Sequence, residues 1–231
     1  MRWPFGRPAR PALDAASAAR RDALARLRFD LDRPLADLRW CVVDVETGGL
    51  DPARDPLLAI GAVHIESQRI VIEPSFETGL AQAAATAADN ILIHGISGSV
   101  QRAGAAPHAA LLDWLEFAGD APRVAFHAGF DQAVLAREER AQLGLRLAAP
   151  WFDAAIVAPV LYPDLARQCR HLDEWLAHFD IAVYARHGAL ADAYATAELW
   201  LVLLKALRAE GLATGRQLHQ LLRARRWLTA Y

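Results

Sequence analysis

Val42-Val43-Asp44-Val45-Glu46-Thr47-Gly48-Gly49 is the stretch on which the reading of this chain turns. It sets two carboxylates two residues apart inside an apolar run that ends in a glycine turn. On a strand, residues i and i+2 face the same side, so Asp44 and Glu46 project together from a segment suited to burial. Burying one carboxylate is costly, and burying two side by side without a cation is worse, so positive charge is expected there. The alternative is a surface strand with an ordinary acidic face. Against it stand Cys41, Val42, Val43 and Val45, which leave little that looks exposed.

Working outward, the strand is expected over Trp40 to Glu46, broken by Gly48-Gly49. Leu57 to Ile65 and Gln68 to Glu73 alternate well enough to give two more strands joined tightly at Glu66-Ser67, an antiparallel meander. Upstream, residues 1–12 read as an unstructured lead rich in Pro and Arg. Asp14 to Phe29 reads as an amphipathic helix capped by Asp14, and Pro34 interrupts it. Downstream, Ala81 to Asn90 is weakly patterned, Ile93 to Ser97 introduces a short helix, and Pro107 to Phe117 forms another. Arg123 to His127 reads as a strand, and Gly129-Phe130-Asp131 opens a helix to about Leu143. Trp151 to Asp153 is a further strand, with Asp153 capping a helix over Ala154 to Leu161. Helices are expected at Leu172 to Phe179, Leu190 to Ala209 and Ala213 to Leu228. Strands alternating with helices after a meander predict an α/β fold with a mixed sheet. The expected division is a basic extension over 1–35, the main domain over 36–208 and a basic C-terminal helix over 209–231.

The totals agree with that plan. A chain of 231 residues with 54% hydrophobic content builds a full core. No apolar stretch is long enough to span a bilayer, no export signal is expected at the N-terminus, and no membrane association is expected. Cys41 and Cys169 make neither a disulfide framework nor a CxxC site, which points to the reducing cytoplasm. The net charge of −2 hides an asymmetry, because residues 29–204 hold 12 basic and 24 acidic residues. The two ends are basic. Either they help hold a polyanion or their arginines only solubilise terminal helices. An acidic body attracts nucleic acid only with metal ions and locally placed arginines.

Three further features can complete a site with Asp44 and Glu46. Asp131 opens a helix after a strand, Asp192 sits in the first turn of an Ala/Leu-rich helix, and His187 lies five residues ahead of Asp192. Oxygen ligands of this kind suit Mg²⁺ or Mn²⁺ rather than zinc. In this order, Asp44-x-Glu46, Phe130-Asp131 and His187-x4-Asp192 resemble the three motifs of the DEDDh, or DnaQ-like, 3′→5′ exonucleases. Within that family the chain is most similar to the proofreading exonuclease (epsilon) subunits and domains of bacterial DNA polymerase III. The resemblance covers roughly residues 38 to 208 and includes Ile93-His94-Gly95-Ile96-Ser97.

The resemblance implies a ribonuclease H-like fold and a two-metal phosphodiesterase site. Asp44, Glu46 and Asp192 would hold one ion, Asp44 would bridge to a second, and Asp131 would support the second directly or through water. Two ions about 3.5–4 Å apart stabilise the entering and leaving oxygens of an in-line displacement. His187 would be the general base; the sister class places a tyrosine nearer the last aspartate, and position 188 is glycine here. Thr47, Gly48 and Gly49 would lie along the terminal nucleotide, with Leu50 wedged against its base and Phe130 beside the sugar or base. Leu50 and Phe130 also have a core reading. His94 would line the pocket or sit satisfied at a helix start.

Phe126-His127-Ala128-Gly129-Phe130-Asp131 departs from the family's usual His-Asn-Ala-x-Phe-Asp, with His127 in the asparagine place. The implied substrate is a single-stranded or frayed DNA 3′ end, with RNA or short oligoribonucleotides as the alternative, since no motif reads a 2′-OH. A polymerase-associated binding subunit is the other alternative. Gln142-Leu143-Gly144-Leu145-Arg146-Leu147 loosely resembles a sliding-clamp peptide but falls between two core elements.

Overall fold

A computed structural model describes residues 12–82, 97–183 and 188–228. His94 and His187, and residues 93–96 of the intermediate motif, lie outside the described residues.

Five strands form one mixed sheet in the order β3-β2-β1-β4-β5. Strands β1 (Trp40–Thr47), β2 (Leu57–Glu66) and β3 (Arg69–Gly79) make the expected antiparallel meander. Strands β4 (Arg123–Ala125) and β5 (Trp151–Asp153) add to β1 in parallel. The described helices are α1 (Ala15–Leu24), α2 (Gly98–Ala103), α3 (Pro107–Ala118), α4 (Ala128–Glu138), α5 (Ala154–Leu161), α6 (Leu172–His178), α7 (Ala189–Ala209) and α8 (Gly215–Leu228). None of them is long and apolar enough to cross a membrane.

The pleat of β1 sorts the interior into two layers. Trp40 and Val42 face a layer containing Phe152, Trp175, Trp200 and Leu203. Cys41, Val43 and Val45 face the opposite layer, with Leu111, Trp114, Leu115 and Leu135. Trp40 meets Phe152 and Trp200 edge-on, with ring centroids 5.0 and 5.4 Å apart, in the favourable offset of aromatic quadrupoles. Strand β2 is buried from Leu57 through Ile65 rather than alternating between core and solvent. It lies inside the sheet with a layer on each side, and its residues are accordingly apolar throughout apart from His64.

Several boundaries differ from those the sequence suggests. Strand β3 does not stop at Glu73 but continues through Pro74 to Gly79. It is an edge strand, where a missing N–H leaves no ladder bond broken, and a register shift between Ala62 and His64 absorbs the irregularity. Helix α1 is capped by Asp14, which accepts the Ser17 N–H at 2.7 Å, but it ends at Leu24 rather than Phe29. Leu24 belongs to one core layer and Leu31 to the other, so the chain must leave the helix to cross the sheet edge. Strand β4 ends at Ala125, because His127 takes a left-handed conformation (φ 63°, ψ 44°) that turns the chain into α4. Helix α4 gives way after Glu138 to a wider π-helical turn over Glu139–Leu143. The clamp-like stretch spans the end of that turn, with Leu143 and Leu145 buried in the core.

Helices α1 and α8 both pack onto the sheet domain. Arg20 of α1 makes a bidentate pair with Glu116 and reaches Asp113 on α3. Leu218 and Leu222 of α8 are buried in the Trp40 layer, and Arg216 pairs with Asp32.

Candidate metal and active site

Asp44 and Glu46 continue the face of β1 begun by Trp40 and Val42, so they project toward α7. Asp44 is registered opposite Gly61 of β2. A Cβ on Gly61 would stand 2.1 Å from the Leu190 nitrogen and 2.2 Å from the Ala189 carbonyl carbon. The first turn of α7 therefore rests backbone to backbone on β2, beside the acids. Asp192 lies in that turn, its N–H bonded to the Gly188 carbonyl at 2.9 Å. Oxygens of Asp44, Glu46 and Asp192 all come within 4.8 Å of one another, and all three residues are half-buried.

Three carboxylates this close and partly desolvated repel unless a cation lies among them. The donor set is all oxygen, which fits a hard divalent ion such as Mg²⁺ or Mn²⁺.

Asp131 is placed differently. It is buried in the first turn of α4 and is not one of the three acids whose oxygens cluster. Beyond Val43 the β4 side of β1 is open, because β4 ends at Ala125, and the Asp131 carboxyl faces the Val45 N–H there. Burial pushes its pKa up to about 7; its own N–H and that of Val45 oppose the rise, while Asp153 and Glu46 add to it.

Asp153 was legible only as a helix cap. It does cap α5 through the Ala155 N–H (2.9 Å), but it also accepts the His127 N–H at 3.0 Å and stands close enough to Asp131 to raise its pKa. Burial raises the Asp153 pKa as well. A cavity of about 320 Å³ opens over Asp44 and Asp192, walled by Phe126, His127, His171, Leu172 and Asp173. Nothing in the sequence marked the last three. Glu174 accepts the His171 N–H at 2.8 Å, a capping contact that announces the start of α6 but not its approach to β1.

The glycine turn is built and braced. The Thr47 hydroxyl donates to the Gly49 carbonyl at 2.6 Å, and the Gly48 N–H to the Pro56 carbonyl at 2.9 Å. A Cβ on Gly49 would lie 2.3 Å from an Asp55 carboxylate oxygen, so a side chain there would have to displace the hydrogen bond that this oxygen accepts from the Asp51 N–H. Arg137 of α4 donates to the Pro52 and Asp55 carbonyls, tying the loop to the helix that carries Asp131. At the loop's apex Leu50 is 92% exposed, so its core reading does not hold. Phe130 is half-buried and packs against the Trp114 layer.

With this geometry in view, a sequence family described as an exonuclease, RNase T, matches residues 41–200. A DNA polymerase III subunit epsilon-like protein of Rhodobacter capsulatus is 33% identical over 186 residues, covering 79% of this chain and 26% of that protein. A PolC-type DNA polymerase III of Caldanaerobacter subterraneus subsp. tengcongensis is 30% identical over 80% of this chain and 13% of its own length. The chain thus spans about a quarter of one of these relatives and about an eighth of the other. Among solved structures, E. coli exonuclease I in complex with a dT13 oligonucleotide superposes with a TM-score of 0.64 at 17% identity, over 75% of this chain and 42% of that one. That likeness agrees with the ribonuclease H-like sheet expected. The chain belongs to the RNase T exonuclease family.

Proposed function

We propose that this protein is a divalent-metal-dependent 3′→5′ exonuclease that removes nucleoside 5′-monophosphates from single-stranded or frayed DNA ends in the cytoplasm. The observation that carries the reading is the convergence of Asp44, Glu46 and Asp192 within 4.8 Å beneath an open cavity. Family membership and the resemblance to polymerase III proofreading domains support the proposed direction of attack and the proposed preference for DNA.

Asp44, Glu46 and Asp192 would hold Mg²⁺ or Mn²⁺, with Asp44 shared between two ions and Asp131 supporting the second directly or through water. Such ions supply charge neutralisation at phosphorus and a more acidic attacking water. His187, five residues before Asp192, is proposed as the base that takes the proton of that water. The braced turn at Thr47, Gly48 and Gly49 would lie along the terminal nucleotide, with exposed Leu50 against its base and His94 at the pocket edge. Phe130 would act through packing of the α4 start. Association with a DNA polymerase fits the named relatives and is proposed as the setting of the activity.

Digestion of matched DNA and RNA oligonucleotides with Mg²⁺ or Mn²⁺, with products resolved chromatographically, tests this. Nucleoside 5′-monophosphates released faster from DNA, and not released by the Asp44→Ala protein, are expected. Faster release from RNA would move the assignment to an RNA-trimming member of the family. No release from either would refute it.

A further inference from the structure

A second, smaller cavity of about 80 Å³ lies on the other side of the turn that leads into α4, bordered by Gly129, Gln132, Asp153, His219 and Arg223. The acid-lined cavity reaches His127, this one begins at Ala128 and Gly129, and the His127 N–H is bonded to Asp153 on its floor. The two cavities are therefore neighbours across one turn of chain, the first lined by acids and the second fronted by basic side chains of α8.

The residues of the second cavity differ in charge and commitment. Arg216, two turns earlier on α8, is paired with Asp32, whereas Arg223 is exposed and makes no ion pair among the described residues. His219 is partly buried edge-on against Phe152, at 5.8 Å between ring centroids. Asp153 is the one carboxylate present. It accepts the N–H groups of His127, Ala128 and Ala155 and forms no ion pair with Arg223. Gly129 is open to solvent, and a Cβ there would meet nothing within 4 Å, so the turn between the cavities can be approached closely. Leu218 and Leu222 hold α8 against the sheet, which fixes Arg223 in place.

We propose that Arg223, with His219 beside it, holds a backbone phosphate of the substrate strand on the 5′ side of the cleaved bond, making α8 part of the nucleic-acid path. This rests on the exonuclease reading, which places the strand's 3′ end at Asp44 and Asp192. The two cavities adjoin at His127 and Ala128, so a decamer is long enough to occupy both, whereas a mononucleotide ester occupies the acid-lined one alone.

The test compares wild type, Arg223→Gln, Arg223→Lys and, at the far end of the sheet, Arg69→Gln. Each is assayed in Mg²⁺ with dT10 and with the p-nitrophenyl ester of thymidine 5′-monophosphate, which has no upstream phosphate. Arg223→Gln should raise KM for dT10 about fivefold. It should also make the negative slope of log kcat/KM against log salt shallower by about 0.7, the loss of one phosphate contact on a single strand. Ester hydrolysis should stay unchanged, Arg223→Lys should recover most of the loss, and Arg69→Gln should behave as wild type. Wild-type kinetics of Arg223→Gln on dT10 would overturn the proposal, as would an equal loss on the ester. A wild-type protein that hydrolyses neither substrate would instead remove the exonuclease reading, and this inference with it.

Discussion

Gly61 is where the active arrangement is most exposed to a single methyl group. The Cβ of Gly61→Ala would sit 2.1 Å from the Leu190 nitrogen, 2.2 Å from the Ala189 carbonyl carbon and 2.5 Å from the Leu190 Cα. All three are backbone atoms of the first turn of α7, and none can rotate away. Restoring ordinary contact at about 3.4 Å requires the helix end and β2 to separate by roughly 1 Å, and overpacking of this kind costs about 1–3 kcal/mol. For a chain of this size that lowers Tm by about 3–10 °C. Asp192 is two residues past Leu190 in the same turn, so the separation carries it away from Asp44 and Glu46. Misplacement by about 1 Å can cost on the order of 100-fold in rate. Differential scanning calorimetry and Mg²⁺-dependent ester hydrolysis, run on the same preparations, report both effects. A Gly61→Ala protein with wild-type Tm and wild-type rate would refute the idea that backbone contact at Gly61 sets the acid cluster.

Asp192→Asn should match or exceed wild type in Tm in EDTA, since it relieves repulsion within the cluster. It should also lose most of the Tm gain on adding Mg²⁺, a gain worth about 2.7 kcal/mol at 100-fold excess over Kd; a full gain in the variant would exclude Asp192 from the ion site. Glu139 is buried with its pKa raised to about 7, mainly by desolvation and against the pull of Arg123. The native state thus keeps a proton that the unfolded chain releases above pH ~4, and this contribution to stability is lost as pH rises through about 7. Glu139→Gln should flatten the decline in metal-free stability between pH 5 and 8, and an unchanged profile would contradict it. Leu50→Ala should leave Tm within about 1 °C, because the side chain is exposed, while raising KM for oligonucleotides; a lowered Tm with unchanged KM would return Leu50 to a structural role. His187→Ala should retain the Mg²⁺-induced Tm gain and lose most of kcat, and full activity would remove it as the base.

The two acids of β1 were legible because strand periodicity is strict: once Trp40 and Val42 face one layer, Asp44 and Glu46 must follow. Asp192 was legible by its place in the first turn of an Ala/Leu-rich helix and in the His187-x4-Asp192 motif, and a mixed sheet was legible from a meander succeeded by strand–helix alternation. Gly61 was not, because a glycine inside an apolar run carries no local sign of the helix that will land on it. The depth of Asp131 was hidden for a similar reason. Its burial depends on β4 ending at Ala125, and that end is set by the left-handed turn at His127, a conformation the sequence Phe126-His127-Ala128 does not announce. Asp153 showed one of its two tasks, since a cap is a local contact whereas its bond to the His127 N–H spans 26 residues. The end of α1 at Leu24 likewise answers to which core layer each leucine joins, a tertiary matter that helical periodicity does not contain.

Metal-dependent 3′→5′ trimming is read from a single-stranded DNA 20-mer labelled at its 5′ end and incubated with the purified protein in Mg²⁺. The expected result is a ladder of labelled products shortening one nucleotide at a time from the 3′ end, absent in EDTA and absent with Asp44→Ala. Immediate release of the label as a mononucleotide, scattered internal cuts, or digestion that persists in EDTA would contradict it.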